Sequence, residues 1–210
     1  MKLMHGPTHS DEVLTGDRFK QADKVNRVSI VVNLFLSTFK IIAGFVGHSA
    51  AMISDGIHSA SDILATIIVI IGLFFASKPD DSSHPYGHER IESAVAKILA
   101  IILGSVGVTL AVNAVKTIMS GEFTTPTGLA LFAAVLSIVV KEWMYHYTVR
   151  VAKRIQSEAL KAEAWHHRSD AFSSIGTFIG IGGAMIGFPI LDPLACLIVA
   201  FLILKVAIDI

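Results

Sequence analysis

The chain has 210 residues, and its 17 lysines and arginines balance 17 aspartates and glutamates, so no global field selects nucleic acid or an acidic partner. Charged residues make up 16% and hydrophobic residues 53%, with a mean hydropathy of +0.65, which sets the chain apart from ordinary soluble domains, where about a quarter of residues are charged. Cys196 is the only cysteine and lies in an apolar run, which excludes a disulfide framework or a thiolate metal site within one chain.

Residues 1–22, opening MKLMHGPTHSDEVLTGDRFK, are polar, lack the apolar core and cleavage signal of a signal peptide, and read as a soluble tail. A membrane-spanning helix needs about 20 mostly apolar residues. Six blocks meet that need, at about residues 25–46, 50–77, 91–119, 127–148, 159–186 and 191–208. The polar loop KPDDSSHPYGHER separates the second from the third, and SGEFTTPTG separates the third from the fourth. The basic connector VRVAKRIQSEALKAE leads into the fifth, and FPILDP turns the chain into the sixth. The pattern predicts an all-α membrane protein in which residues 23–210 form a bundle of six transmembrane helices.

Six spans put both termini on one side of the bilayer. Arg18, Lys20, Lys24 and Arg27 in the tail, Lys78 and Arg90 beside the second loop, and Arg150, Lys153, Arg154 and Lys161 before the fifth span all fall on that side. The alternate loops near Gly47, Gly121 and Gly187 carry no lysine or arginine, so both termini are predicted to be cytoplasmic. Trp143, Tyr145 and Tyr147 cluster at the cytoplasmic end of the fourth span, where an aromatic belt belongs. Gly176 and Gly180 have the spacing that lets two helices approach closely, which predicts tight packing of the fifth span.

Ionisable side chains in the hydrocarbon region cost about 2.5–3.5 kcal/mol each on insertion scales and are functional candidates for that reason. The second span carries Asp55, His58 and Asp62, and the fifth carries His166, His167 and Asp170. His58-x-x-x-Asp62 and His166-x-x-x-Asp170 share one spacing, which stacks each pair on a helix face with Cβ atoms about 5–6 Å apart. The two spans run in opposite directions, yet both pairs fall near mid-span. Two imidazoles and two carboxylates can then converge as a tetrahedral shell, with metal–ligand distances of about 2.0–2.2 Å for zinc. Two histidines favour zinc, cobalt or cadmium over manganese, which prefers oxygen ligands. Metal binding needs neutral imidazole and ionised carboxylate, so protons and metal compete for the same atoms.

Asp55 reads either as an outer-vestibule carboxylate or as a helix-start residue. His167 and Arg168 are expected at solvent or headgroups, and Lys40 is expected to snorkel to the outer interface. In the loop DDSSHPYGHER, Asp81, His84 and His88 can fold round a second metal, with Asp80 as a competing carboxylate; a solvated turn is the other reading.

SDGIHSASD, HPYGHERIE and AEAWHHRSD, in that order on the second span, the following loop and the fifth span, closely resemble the cation diffusion facilitator family. The resemblance covers residues 23–210. It implies that His58, Asp62, His166 and Asp170 form a transport site and that Asp81, His84 and His88 form a loop site. It implies a homodimeric, proton-coupled exporter, here a Zn2+/H+ antiporter moving metal out of the cytoplasm by alternating access, in a bacterial plasma membrane. Another metal (Mn2+, Fe2+, Co2+ or Cd2+), or a passive metal channel, is the alternative. The loop departs from the family at Glu89, where a small residue is more common. Family members usually continue into a cytoplasmic metal-binding domain, which the 210 residues do not include. An enzyme is not expected: His88-Glu89 is the only His-Glu pair, and Glu92 stands where a zinc-protease motif needs its second histidine. No phosphate-binding glycine loop supports the use of ATP.

Overall fold

The computed structural model describes the backbone of residues 9–76 and 89–209, and the side chains of residues 20–64, 67 and 97–209. Among these residues there are six α-helices and no strands: α1 (His9–Val46), α2 (Ala50–Ala76), α3 (Glu89–Ser120), α4 (Gly128–Ile155), α5 (Glu158–Met185) and α6 (Leu191–Asp209). Each apolar block of the sequence lies on one helix.

Two helices are longer than their apolar blocks. α1 starts at His9, inside the stretch expected to be a soluble tail. Hydropathy marks where a chain can enter lipid, not where its helix begins, and no proline interrupts residues 9–46. α4 likewise continues to Ile155 and α5 starts at Glu158, so most of the basic stretch expected to be a connector is helix. The chain breaks at Gln156, which adopts a left-handed conformation (φ 53°) while its N–H donates to the carbonyl of Ala152. Ser157 then caps α5, its side chain accepting a hydrogen bond from the N–H of Leu160. A two-residue joint forces α4 and α5 to lie antiparallel, and theirs is the most extensive helix contact in the bundle.

α2 touches all five other helices. α1, α4 and α5 gather on one side of it, and α3 pairs with α6 on the other. The stretches Lys20–Val46, Lys97–Ser120, Gly128–Ile155 and Leu191–Asp209 are long and apolar enough to cross a membrane. α5 is long enough too, but charged and hydroxyl side chains interrupt it. The apolar residues are arranged for lipid. Phe35, Ile101, Val139 and Phe201 point outward, while Ala51, Ala130, Ala133, Ala134 and Ala195 fill a core cluster. Large side chains outside and small ones between helices are the reverse of a soluble core, because lipid tails do not drive Leu or Ile inward. The chain is an all-α integral membrane protein.

Glycines set the closest approaches. A methyl group at Gly56 would meet Ile41 of α1, and one at Gly44 would meet Ile53 of α2, at 2.7 Å in each case. On α5 the tight contact is at Gly180 and Gly183, which seat against Leu191 and Ala195 of α6. The expected pair was Gly176 and Gly180, but nothing lies within 4 Å of a Cβ at Gly176. There α5 and α6 have parted around a cavity of about 250 Å³ lined by Gly176, Thr177, Ala195 and Val199. Gly180→Leu is therefore expected to destabilise the bundle by about 1–3 kcal/mol through overpacking, seen as a lower thermal midpoint in detergent. Gly176→Ala is expected to leave that midpoint unchanged; equal losses in the two variants would contradict the packing described.

Candidate metal centre

The position of the site begins with a cap. Asp192, buried on α6, reaches the first turn of α2, where its carboxylate accepts hydrogen bonds from the Ser49 hydroxyl and from the N–H groups of Ala50 (2.9 Å) and Ala51 (3.4 Å). The Ser49 hydroxyl oxygen in turn accepts from the N–H of Met52 (3.1 Å). A carboxylate satisfies otherwise orphaned donors at the positive end of the helix, which fixes where α2 starts. Sequence spacing could not identify this acid, because its partners lie more than 140 positions away.

Farther along α2, His58 and Asp62 face α5. His58, Asp62 and Asp170 each present one ligand atom, and these atoms lie within 4.8 Å of one another. Around a single ion the corresponding separations would be about 3.3–3.6 Å, so a small closure completes the shell. His166 stands at the edge: its Nε2 is 3.9 Å from Asp170 Oδ2 and 4.0 Å from Asp62 Oδ2, and its side chain is 48% exposed. The Nδ1 atom of His58 is buried without a hydrogen-bond partner among the described residues, which suits an acceptor awaiting a cation. A cavity of about 40 Å³ opens beside Asp62 and His166, lined also by Ser29, Asn33 and Glu163. That is room for an ion and not for an organic molecule, whose pockets run to hundreds of Å³. A larger cavity, about 420 Å³, lies elsewhere among α2, α3 and α6, but its lining is mainly apolar and holds no cluster of ligands.

All four transport-site candidates thus come together. Asp81, His84 and His88 of the second candidate site lie outside the described residues, as does Asp80.

Three other polar residues differ from expectation. His167 does not meet solvent: it is buried against α1, with Nε2 3.2 Å from the Ser29 hydroxyl and 3.6 Å from Glu163 Oε1. Adjacent residues on a helix point about 100° apart, so His166 turns toward Asp62 of α2 while His167 reaches Ser29 of α1. Arg168 is half-buried, its guanidinium lying 4.7 Å from the centre of the Tyr145 ring. Lys40 does not snorkel, and Asp55 is neither a vestibule group nor a helix start. Lys40 Nζ lies 2.8 Å from Asp55 Oδ2 and donates to the hydroxyls of Ser59 and Ser174, each at 3.1 Å. Ser174 donates to the same Asp55 oxygen at 3.0 Å, and the ion pair is wholly buried. A carboxylate within reach removes the reason for the lysine to seek water.

Lys141 gave no signal in the sequence beyond being a cation near the end of an apolar block. In the structure it is 1% exposed, and its Nζ donates to Asp170 Oδ2 at 2.6 Å and to Asn33 Oδ1 at 2.7 Å.

A lipid-facing bundle with paired histidines and carboxylates meeting at mid-helix defines the class: an integral membrane protein equipped to handle a cation. Residues 27–210 match the cation efflux transmembrane domain. The chain is 43% identical over 191 residues to a transporter of Methanocaldococcus jannaschii, covering 91% of this chain and 68% of that protein. Two proteins of Bacillus subtilis are also similar. The manganese efflux system protein MneS is 39% identical over 92% of this chain and 67% of its own length, and MneP, of the same description, is 36% identical over 93% and 68%. The chain belongs to the cation diffusion facilitator family and is a metal efflux transporter.

Breaking one side of the Lys40–Asp55 pair leaves a buried charge alone, so Lys40→Met is expected to cost about 3–5 kcal/mol of stability. Lys40→Met combined with Asp55→Leu is expected to recover most of that loss in thermal unfolding in detergent. Additive losses in the double variant would show that the pair is not what the lysine serves.

Proposed function

We propose that the chain exports a divalent transition metal from the cytoplasm in exchange for protons, using His58, Asp62, Asp170 and His166 as its transport site. The observation that carries this reading is the convergence of those four side chains from α2 and α5. The placement of lysines and arginines supports cytoplasmic termini in a plasma membrane. With that orientation, the small cavity beside Asp62 and His166 lies toward the cytoplasm, and the Lys40–Asp55–Ser59–Ser174 network lies on the outer side of the site. Metal then loads from inside, and its outward release requires α2 and α5 to move relative to α1 so that the network parts. Protons replace metal because imidazole and carboxylate accept either, and histidine titrates near neutrality. The family resemblance supports a homodimer and a second metal at Asp81, His84 and His88.

The cargo we favour is manganese. Two relatives carry that metal in their names, and the three closest ligands offer two carboxylates and one imidazole, an oxygen-rich set that suits manganese. Zinc is the second reading: the shell gains a second imidazole if His166, 3.9 Å from Asp170 Oδ2 and 4.0 Å from Asp62 Oδ2, closes onto the ion. His166→Ala is accordingly expected to reduce zinc transport more than manganese transport in liposomes; equal reductions would remove the distinction drawn between the two sets.

The exchange itself is tested with purified protein in liposomes. An imposed pH gradient is expected to drive manganese uphill with wild-type protein, and Asp62→Ala is expected to abolish that flux while the variant keeps its helical fold. Undiminished flux in Asp62→Ala would overturn the site. Flux indifferent to the pH gradient would point to a passive channel.

A further inference from the structure

Asp170 arrives at the transport site already engaged. The oxygen that lies 3.9 Å from His166 Nε2 is Oδ2, and the same atom accepts the 2.6 Å hydrogen bond from Lys141. A metal ion and the lysine ammonium therefore claim one carboxylate. We propose that Lys141 is a tethered competitor of the transported metal: its ammonium holds Asp170 while the site is empty, is displaced when metal binds, and helps to expel the metal by returning. This inference rests on the reading of His58, Asp62, Asp170 and His166 as the transport site.

Charge balance gives the reason. In the state that holds neither proton nor metal, Asp62 and Asp170 carry two negative charges, and Lys141 reduces the sum of these three groups to −1. A divalent ion takes it to +1. With a neutral residue at position 141 the same states would be −2 and 0. A site more negative by one charge holds a divalent ion more tightly and exports it more slowly. Whatever other charge faces the cavity, Glu163 included, the lysine makes the empty and the loaded site each less negative by one, which weakens the hold on a divalent ion. A carrier needs that, since it must both take and release its cargo.

The geometry also provides for the displaced group. Lys141 has a second acceptor, Asn33 Oδ1 at 2.7 Å, which belongs to α1 and is not among the candidate ligands. When Asp170 turns to metal, the ammonium keeps a partner and is not left orphaned. Because Asn33 also lines the small cavity beside Asp62 and His166, the displaced lysine remains at the site and can return. α4 carries Lys141, α1 carries Asn33 and α5 carries Asp170, so loading of the site changes a contact joining three helices.

A merely structural tie makes a different prediction. If Lys141 only braced the bundle, its removal would loosen the site and weaken metal binding. If it competes, a neutral side chain of similar length strengthens binding. The experiment titrates Mn2+ and, separately, Zn2+ into the detergent-solubilised full chain by calorimetry, comparing wild type with Lys141→Gln, Lys141→Arg and Asp62→Asn. Lys141→Gln is expected to bind metal at least about tenfold more tightly, as loss of a neighbouring like charge implies. Lys141→Arg, whose forked donors grip a carboxylate more firmly, is expected to bind at least about threefold more weakly and keeps the question open to test should the glutamine variant fail to fold. Unchanged or weaker binding in a folded Lys141→Gln, or binding in Lys141→Arg as tight as wild type, overturns the competitor role. Asp62→Asn separates this from the site itself: if it binds metal like wild type, the transport-site reading fails, whereas loss of binding there with no gain in Lys141→Gln sinks the competitor role alone.

Discussion

A carboxylate buried within a lipid-embedded bundle is tolerable only when a cation or a set of donors faces it, and this bundle is arranged around that constraint. Asp55 faces Lys40, Asp170 faces Lys141, and Asp192 faces the donors at the start of α2. Each contact joins different helices: α2 to α1, α5 to α4, and α6 to α2. The polar groups that are costly to bury are therefore also the ones that fix how the helices meet. The second lysine pair belongs to the histidines and carboxylates that converge across α2 and α5, since Asp170 is a member of both.

The two ion pairs differ in what surrounds them. Lys40 and Asp55 are enclosed, with the Ser59 and Ser174 hydroxyls on α2 and α5 adding to the contacts of the ammonium and of Asp55 Oδ2. Lys141 and Asp170 stand next to His166, which is half exposed, and to the cavity lined by Asn33 and Asp62. One pair is placed to hold helices together, the other to be exchanged. Small residues make both possible: Gly44 and Gly56 bring α1 against α2, and Gly180 and Gly183 bring α6 against α5, closely enough for short polar side chains to meet.

Much of this was legible in the sequence because it is local. Helix positions follow from the length of apolar blocks, and the paired His-x-x-x-Asp spacing follows from helix period, so both emerged without coordinates. The extents of α1 and α4 did not, since helix continues past the point where hydropathy falls. The partners of Lys40, Lys141, His167 and Asp192 were hidden for a different reason. The partners that fix them are distant in the chain, Asn33 108 positions from Lys141 and Ser29 138 from His167, and no local pattern encodes which faces meet. A lone lysine near the end of an apolar block looks like an interface anchor until a carboxylate is found beside it.

The central claim is that one divalent ion is held between α2 and α5. Anomalous diffraction from crystals of the wild-type protein soaked in Mn2+ or Zn2+ tests it most directly. The account predicts a peak about 2.0–2.3 Å from ligand atoms of His58, Asp62 and Asp170. A membrane-embedded peak coordinated by other residues, or a fully soaked crystal with no peak between these helices, would contradict it.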